Sequence, residues 1–277
     1  MPSKTGGFFG LNLNPDTPIY RIFPQKFLAE LLEGKFVIRS TRMWTDPYEK
    51  LTYQCCYEAL NNGRIKQHFI GNDRWPTFGQ CWSTCRESDA MWRIYSTVHQ
   101  NGFNLNGAFD NGEAVRLKTT AKKLLNGVAA AVGGDRGANC FIANMRYFEE
   151  NALRQEIANV LNSKRETAFG GTAGHAEALL FKRDAFAHEK EVRLLYVDAE
   201  REFESKDQID LELDANSLIE EITFDPRVSG GTQERWRTDW VRDRGFKNEV
   251  NRSHLYLGIM LIVPTFTQEE LAQPSVS

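Results

Sequence analysis

The sequence predicts an α+β fold, with central mixed or antiparallel sheets and helices flanking them. Three observations predict it. Strand-like runs are scattered among helical ones with no regular βαβ beat. No internal repeat, low-complexity tract or linker breaks the 277 residues, so a single domain over 1–277 is expected. Counting Gly in place of Tyr turns the 41% apolar share into roughly 46%, inside the globular band and ample for a core.

The elements follow from local pattern. After a Gly/Asn/Pro-rich lead, Ile19-Tyr20-Arg21-Ile22-Phe23 reads as a strand. Pro24 suits the first turn of a helix carrying Phe27, Leu28, Leu31 and Leu32 at helical spacing, and Gly34 suits its end. Lys35 to Thr41 returns to strand character before a turn at Thr45-Asp46-Pro47. Phe78 to Thr84 reads as a strand, and Ser88 as the N-cap of a helix with Met91, Trp92, Tyr95 and Val98 on one face. Phe103 to Phe109 predicts a strand, Glu113 to Val132 a helix, and 133–137 a glycine-rich loop. Further expectations are a strand at Met145 to Phe148, a helix at Asn151 to Arg165 and a short helix near Ala176 to Phe181. Glu189 to Val197 is a strong strand. Strands at Leu211 to Leu213, Ile219 to Phe224 and Leu255 to Val263 follow, with a Trp/Arg-rich helix between Gln233 and Arg244.

Charge and motifs exclude much. With 34 Lys+Arg against 37 Asp+Glu, the net charge of −3 offers no bulk attraction for phosphate, which leaves only a local basic groove for nucleic acid. The longest apolar run, Leu255 to Val263, is too short to span a membrane. Five cysteines, an odd and sparse number, fit a reduced cytosolic protein better than a disulfide scaffold. No P-loop, dinucleotide fingerprint or G-x-S-x-G elbow occurs. His188-Glu189 begins like a zinc-protease helix, yet position 192 is Val. Cys55-Cys56 and Cys81-x-x-x-Cys85 hold four thiols, but adjacent cysteines make poor tetrahedral ligands, and no metal is expected.

Four features remain. Arg21 stands alone in an apolar strand, where a guanidinium could grip a phosphate or carboxylate, or could point to water from an edge strand. In Gln80-Cys81-Trp82-Ser83-Thr84, Ser83 could hydrogen-bond a ligand or simply cap the next helix. Trp92 and Tyr95 share a helix face, for core packing or for lining a cleft. The sharpest is Glu189-Lys190-Glu191-Val192-Arg193-Leu194-Leu195-Tyr196: period 2 puts Glu189, Glu191 and Arg193 on one face. Like charges so placed repel unless a cation or a ligand relieves them. Arg193 could give part of that relief; otherwise the pair is a Glu-x-Glu site that stabilises a developing cation, as in glycosidic cleavage.

The order Tyr20-Arg21, Thr45-Asp46-Pro47-Tyr48-Glu49, Cys81-Trp82-Ser83, Met91-Trp92-x-x-Tyr95, Gly102-Phe103, Phe181-Lys182, Glu189-x-Glu191-Val192-Arg193 and Ile219-Glu220-Glu221-Ile222 resembles the bacterial family designated domain of unknown function 2971, over about 19–228. The shorter order of Arg, Ser and Glu-x-Glu is also similar to ADP-ribosyltransferases of the arginine–serine–glutamate class. That resemblance implies an ADP-ribosyltransferase-like fold with NAD as co-substrate. It implies Arg21 on the pyrophosphate, Ser83 at the nicotinamide pocket, Glu191 on the ribose and Glu189 or nearby residues orienting the acceptor. Trp92 or Tyr95 would line the nicotinamide side. The departure is Cys81-Trp82-Ser83-Thr84, which is not a clean Ser-Thr-Ser.

The function expected on this basis is a cytoplasmic, NAD-dependent ADP-ribosyltransferase-like enzyme, a bacterial toxin or phage-defence effector. Its acceptor would be RNA, DNA, protein or water, and an antitoxin or chaperone could accompany it. Arg227, Arg235, Arg237, Arg242 and Arg244 surround Trp236 and Trp240, a combination able to contact nucleic acid, although Glu234, Asp239 and Asp243 interleave as on a solvated face. The rival reading is a non-enzymatic nucleotide- or partner-binding module that uses the same cleft. A hydrolase of some other glycoside ranks last, because both carboxylates come from one strand.

Overall fold

The computed structural model describes residues 7–9, 13–49, 56–61, 64–69, 75–96, 112–164, 169–227 and 232–256. The elements run β1 (Gly7–Phe9), β2 (Pro18–Pro24), α1 (Leu28–Leu32), β3 (Lys35–Ser40), β4 (Cys56–Asn61), β5 (Arg64–Phe69), β6 (Thr77–Ser83), α2 (Asp89–Tyr95), β7 (Ala114–Thr120) and α3 (Ala121–Val132). They continue as β8 (Cys140–Asn144), β9 (Arg146–Phe148), α4 (Glu150–Lys164), α5 (Gly171–Ala178), β10 (Phe181–Arg183), β11 (Glu191–Val197), β12 (Gln208–Glu212), α6 (Ala215–Leu218), β13 (Glu221–Phe224), α7 (Thr232–Asp243) and β14 (Glu249–Arg252).

Among the described residues ten strands form one mixed sheet, in the order β1-β8-β11-β6-β2-β7-β13-β14, with β3 attached to β6 and β12 to β3. The outer pairs β1/β8 and β13/β14 are parallel and the pairs between them antiparallel. This is the α+β class the sequence predicts. β11 lies between β8 and β6 with both faces covered, so all seven of its residues are buried. Val192, Leu194 and Tyr196 enter the large core with Phe36, Ile38, Phe78, Trp82 and the apolar stripe of α3. On the opposite face Leu195 and Val197 join a smaller cluster with Phe141, Ala143, Met145, Leu179 and Leu180. Alternation puts Glu191 and Arg193 on that second face.

Several expectations are corrected. The helix predicted from Glu113 begins only at Ala121, where Thr120 caps it by accepting from the Lys123 amide at 3.2 Å. Ala114–Thr120 is a strand instead: Val115, Leu117 and Thr119 alternate with Arg116 and Lys118, and β2 and β13 pair on either side of it. β-Branched residues sandwiched between strands favour this over an amphipathic helix. The short helix lies at Gly171–Ala178 rather than 176–181, and Phe181 opens β10, paired with β9. β11 starts at Glu191, because Glu189 closes a 3-10 turn and Lys190 has φ 44°. The strand predicted at Phe103 to Phe109, the residue Val98 and residues 257–263 lie outside the described residues. Leu255 and Tyr256, at the start of the last predicted strand, form a turn. Among the described residues no helix is long and apolar enough to cross a membrane.

Candidate functional site

β6 organises the site. Along one edge it pairs with β11 over its full length, with Ser83 opposite Glu191 and Cys81 opposite Arg193. Its other edge is shared: β2 meets it only at Ser83, opposite Tyr20, while β3 meets it at Gly79 and Phe78. The sheet therefore forks between β2 and β3, and among the described residues Gln80, Cys81 and Trp82 have no strand partner in the fork. Side chains fill that role, as buried peptide groups require. Arg21 Nη1 donates to the Cys81 carbonyl at 2.6 Å. Gln80 Nε2 donates to the Val37 carbonyl, and Gln80 Oε1 accepts from Trp82 Nε1 at 3.1 Å.

Arg21 is not on an edge strand, since β2 lies between β7, which it meets over all seven residues, and β6, which it meets at Tyr20. Alternation puts it with Ile19 and Phe23 on the large-core side, and the fork gives its guanidinium a way out toward polar neighbours. Burial pulls its pKa below the ordinary arginine value, Cys81, Tyr95 and Glu191 oppose that, and Arg39 lowers it further. Arg39 is opposite Gly79 on β3, at the same fork. Neither guanidinium has a carboxylate partner among the described residues. A guanidinium so placed at the gap fits a ligand with a negative oxygen, and Arg39, exposed on β3, acts on Arg21 electrostatically. Sequence pattern gave no reason to single out Arg39; only the register of β3 against β6 brings it here.

The Glu-x-Glu segment answers its own repulsion with a cation the sequence did not point to. Lys182, on β10, places Nζ 2.7 Å from Glu189 Oε2, 2.9 Å from Glu191 Oε2 and 3.4 Å from Glu49 Oε1. Arg193 donates from Nε to Glu191 Oε1 at 2.8 Å, from Nη2 to Glu49 Oε1 at 2.9 Å and from Nη1 to the Leu179 carbonyl. The face of Trp44 lies 4.1 Å from this guanidinium. Burial alone would raise the Glu191 pKa, but Arg193 and Lys182 prevail and hold it at about 2. Lys182 and Arg193 are correspondingly raised, the carboxylates overcoming their desolvation. The Glu191 amide donates to the Tyr147 hydroxyl at 2.8 Å, and burial pushes that phenol up to about 12. Glu49 and Lys182 both stand in the quoted motif order, but only the unrelieved charge of Glu-x-Glu hinted that a buried cation was needed.

The expected shared face of Glu189, Glu191 and Arg193 is corrected at Glu189. The left-handed Lys190 breaks period 2, and the Glu189 carboxylate comes near Glu191 only by sharing the Lys182 ammonium. Ser83 holds this turn: its hydroxyl donates to the Glu189 carbonyl at 2.6 Å and accepts from the Cys85 amide at 2.9 Å. Ser88 caps α2 as predicted, by accepting from the Met91 amide at 3.4 Å. Trp92 does not line a cleft. It is fully buried with Ile22 and Ala114, and its indole donates to Glu87 at 3.2 Å. Tyr95 is 39% exposed, and the groups acting on its hydroxyl include Cys81, Arg21, Glu189 and Glu191, so it borders the same site.

The Trp/Arg-rich helix is largely committed to the fold. Arg237 makes a buried bidentate pair with Glu113, at 2.8 Å twice. Arg244 lies 3.7 Å over the Trp240 ring, Arg242 donates to the Phe246 carbonyl at 2.8 Å, and Arg227 pairs with Asp225 at 2.8 Å. Among the described residues no group of His, Cys, Asp and Glu could hold a metal ion.

No protein-family model matches the chain, and no curated protein matches it. The resemblance to domain of unknown function 2971 thus stands on the motif order alone. Among solved structures, the chain is similar to Thermus sp. 2.9 DarT in complex with NAD+, at 14% identity and TM-score 0.34, covering 87% of this chain and 98% of that one. It is similar to the same protein in complex with carba-NAD+, at 14% identity and TM-score 0.33, with coverages of 87% and 97%. The complex with ADP-ribosylated ssDNA gives 14% identity and TM-score 0.35, with coverages of 88% and 98%.

Proposed function

We propose that the protein is an NAD-dependent ADP-ribosyltransferase, a bacterial toxin or phage-defence effector acting on a nucleic acid or protein. The observation that carries the reading is that Arg21, Ser83 and Glu191 stand on three adjacent strands, with Glu189 tied to Glu191 through the Lys182 ammonium. β2, β6 and β11 are adjacent, with Tyr20 opposite Ser83 and Ser83 opposite Glu191. Tyr20, Ser83 and Glu191 thus form one cross-strand row, and Arg21, next to Tyr20, reaches its neighbourhood by donating to the Cys81 carbonyl at the fork.

The chemistry follows from these groups. Arg21 takes the pyrophosphate of NAD; a guanidinium with unused donors suits that geometry. Tyr95 offers an exposed ring edge for the nicotinamide side. Ser83 fixes the turn that carries the carboxylates. Cleavage of the glycosidic bond builds positive charge on the ribose, and a carboxylate held ionised stabilises it without a metal. Lys182 and Arg193 keep the Glu191 charge in place. Cys81 is no rival nucleophile, since burial and Glu191 push its thiol up to about 12.

The test mixes purified protein with NAD and single-stranded DNA, RNA or protein acceptors, and measures nicotinamide release and acceptor mass. Release with a gain of one ADP-ribose on an acceptor is the expected result. No release with any acceptor, together with no NAD binding by calorimetry, rejects the reading. NAD binding without release favours the nucleotide-binding module instead.

A further inference from the structure

The two glutamates of Glu-x-Glu are not equivalent. Glu191 is 2% exposed, and each of its oxygens faces a buried cation, Oε1 with Arg193 and Oε2 with Lys182. Glu189 is 20% exposed; its Oε2 meets Lys182 at 2.7 Å, and its Oε1 has no partner among the described residues. The third carboxylate, Glu49, is 11% exposed and shares Oε1 between Lys182 and Arg193. Among the described residues, two cations against three carboxylates leave one negative charge on the cluster. Charge is least costly where water reaches it, so the uncompensated share lies on the most exposed member.

We propose that Glu189, not Glu191, is the carboxylate that meets the ribose, and that Glu191 with Lys182 and Arg193 positions it. This inference rests on the transferase reading above. The backbone supports the division of labour. Lys190 in the left-handed region turns Glu189 off the β11 face, and Ser83 pins its carbonyl, so a side chain that would otherwise sit in the ladder keeps part of its surface in water. Tyr95, itself 39% exposed, and Glu189 act on one another electrostatically.

In the reaction the bond between ribose C1′ and the pyridinium nitrogen breaks, and its electron pair leaves with neutral nicotinamide. The ribosyl cation forms opposite the free oxygen of Glu189. The acceptor's nucleophile bonds to C1′, and its proton passes to Glu189 and then to water. Glu191, with both oxygens held by cations, takes no proton.

Glu189→Gln and Glu191→Gln separate the roles in the full chain. Glu189→Gln keeps an oxygen for Lys182, so melting and NAD binding stay near wild type while kcat for nicotinamide release falls by about 100-fold or more with KM little changed. Glu191→Gln lowers the melting temperature. A second readout needs no turnover: carbodiimide coupling of an amine to exposed carboxylates, read by peptide mass spectrometry, labels Glu189, and saturating NAD protects it. Wild-type turnover in Glu189→Gln overturns the proposal, as does unprotected labelling while NAD is bound. A wild-type protein that neither binds NAD nor releases nicotinamide overturns the transferase reading and this one with it.

Discussion

The Lys182 ammonium lies 2.9 Å from Glu191 Oε2, and both side chains are withdrawn from solvent. A buried pair of this kind adds little against a well-packed apolar substitute, yet breaking it from one side is costly. Lys182→Met leaves Glu191 and Glu49 with Arg193 and takes away the cation that Glu189 meets. The expected loss is about 3–5 kcal/mol, read as a fall in the urea midpoint at neutral pH. A loss under about 1 kcal/mol would show that water reaches the cluster and screens it.

Acid should expose the same cluster. The Glu191 pKa is about 2 in the fold against an ordinary 4.5. A depressed folded value means the unfolded chain takes up the proton first. This group's stabilisation is therefore complete above the ordinary value and lost as pH falls from there toward about 2. The amount is on the order of 3 kcal/mol. Wild type and Glu191→Gln, compared by urea unfolding, should differ most at neutral pH and converge through that window. A constant difference across it would contradict the pairing. Lys182 acts in the opposite sense: its raised value keeps stability up to its ordinary 10.5 and loses it as pH climbs through the folded value.

Thiol reactivity gives an independent check on burial in the fork. Burial, then Glu191, pushes Cys81 up to about 12, and burial does the same for Cys140. Both should resist alkylation at pH 8 in the folded protein and react in urea, by peptide mass spectrometry. Rapid native labelling of Cys81 would mean the fork is open to solvent at that point.

Gly79 tests the register that aligns the site. A Cβ there would come 2.6 Å from the Leu194 carbonyl oxygen and 3.0 Å from Leu195 Cδ2. The first contact is backbone, so β6 and β11 must part for it. Gly79→Ala is expected to cost about 1–3 kcal/mol and to weaken NAD binding, because Ser83 and Glu191 sit on those two strands. Unchanged urea midpoints would show that the strands separate freely.

Local pattern revealed much of this molecule. Alternating Val192, Leu194 and Tyr196 mark β11, Ser88 marks the start of α2, and Gly34, with φ of 96°, follows α1 as predicted. It failed where two patterns fit one stretch. Residues 114–120 satisfy a helical count, and only the strands on either side show that they pair. Trp92 and Tyr95 share one helix face, yet the packing of Ile22 and Ala114 buries one and leaves the other exposed.

The residue types of the site were legible because the chemistry of isolated charge is local. A lone arginine in an apolar strand and two glutamates two apart both demand an explanation whatever the fold. Which groups supply it is a matter of distance through space. Lys182 comes from β10, Glu49 from the segment after β3, and Arg39 from the strand that completes the fork. Sequence by itself determined that this protein must reconcile like charges at Glu189 and Glu191. Only the tertiary structure decided that Lys182 and Arg193 enclose Glu191 and leave one oxygen of Glu189 without a partner among the described residues, because Coulomb attraction and desolvation act on neighbours in space.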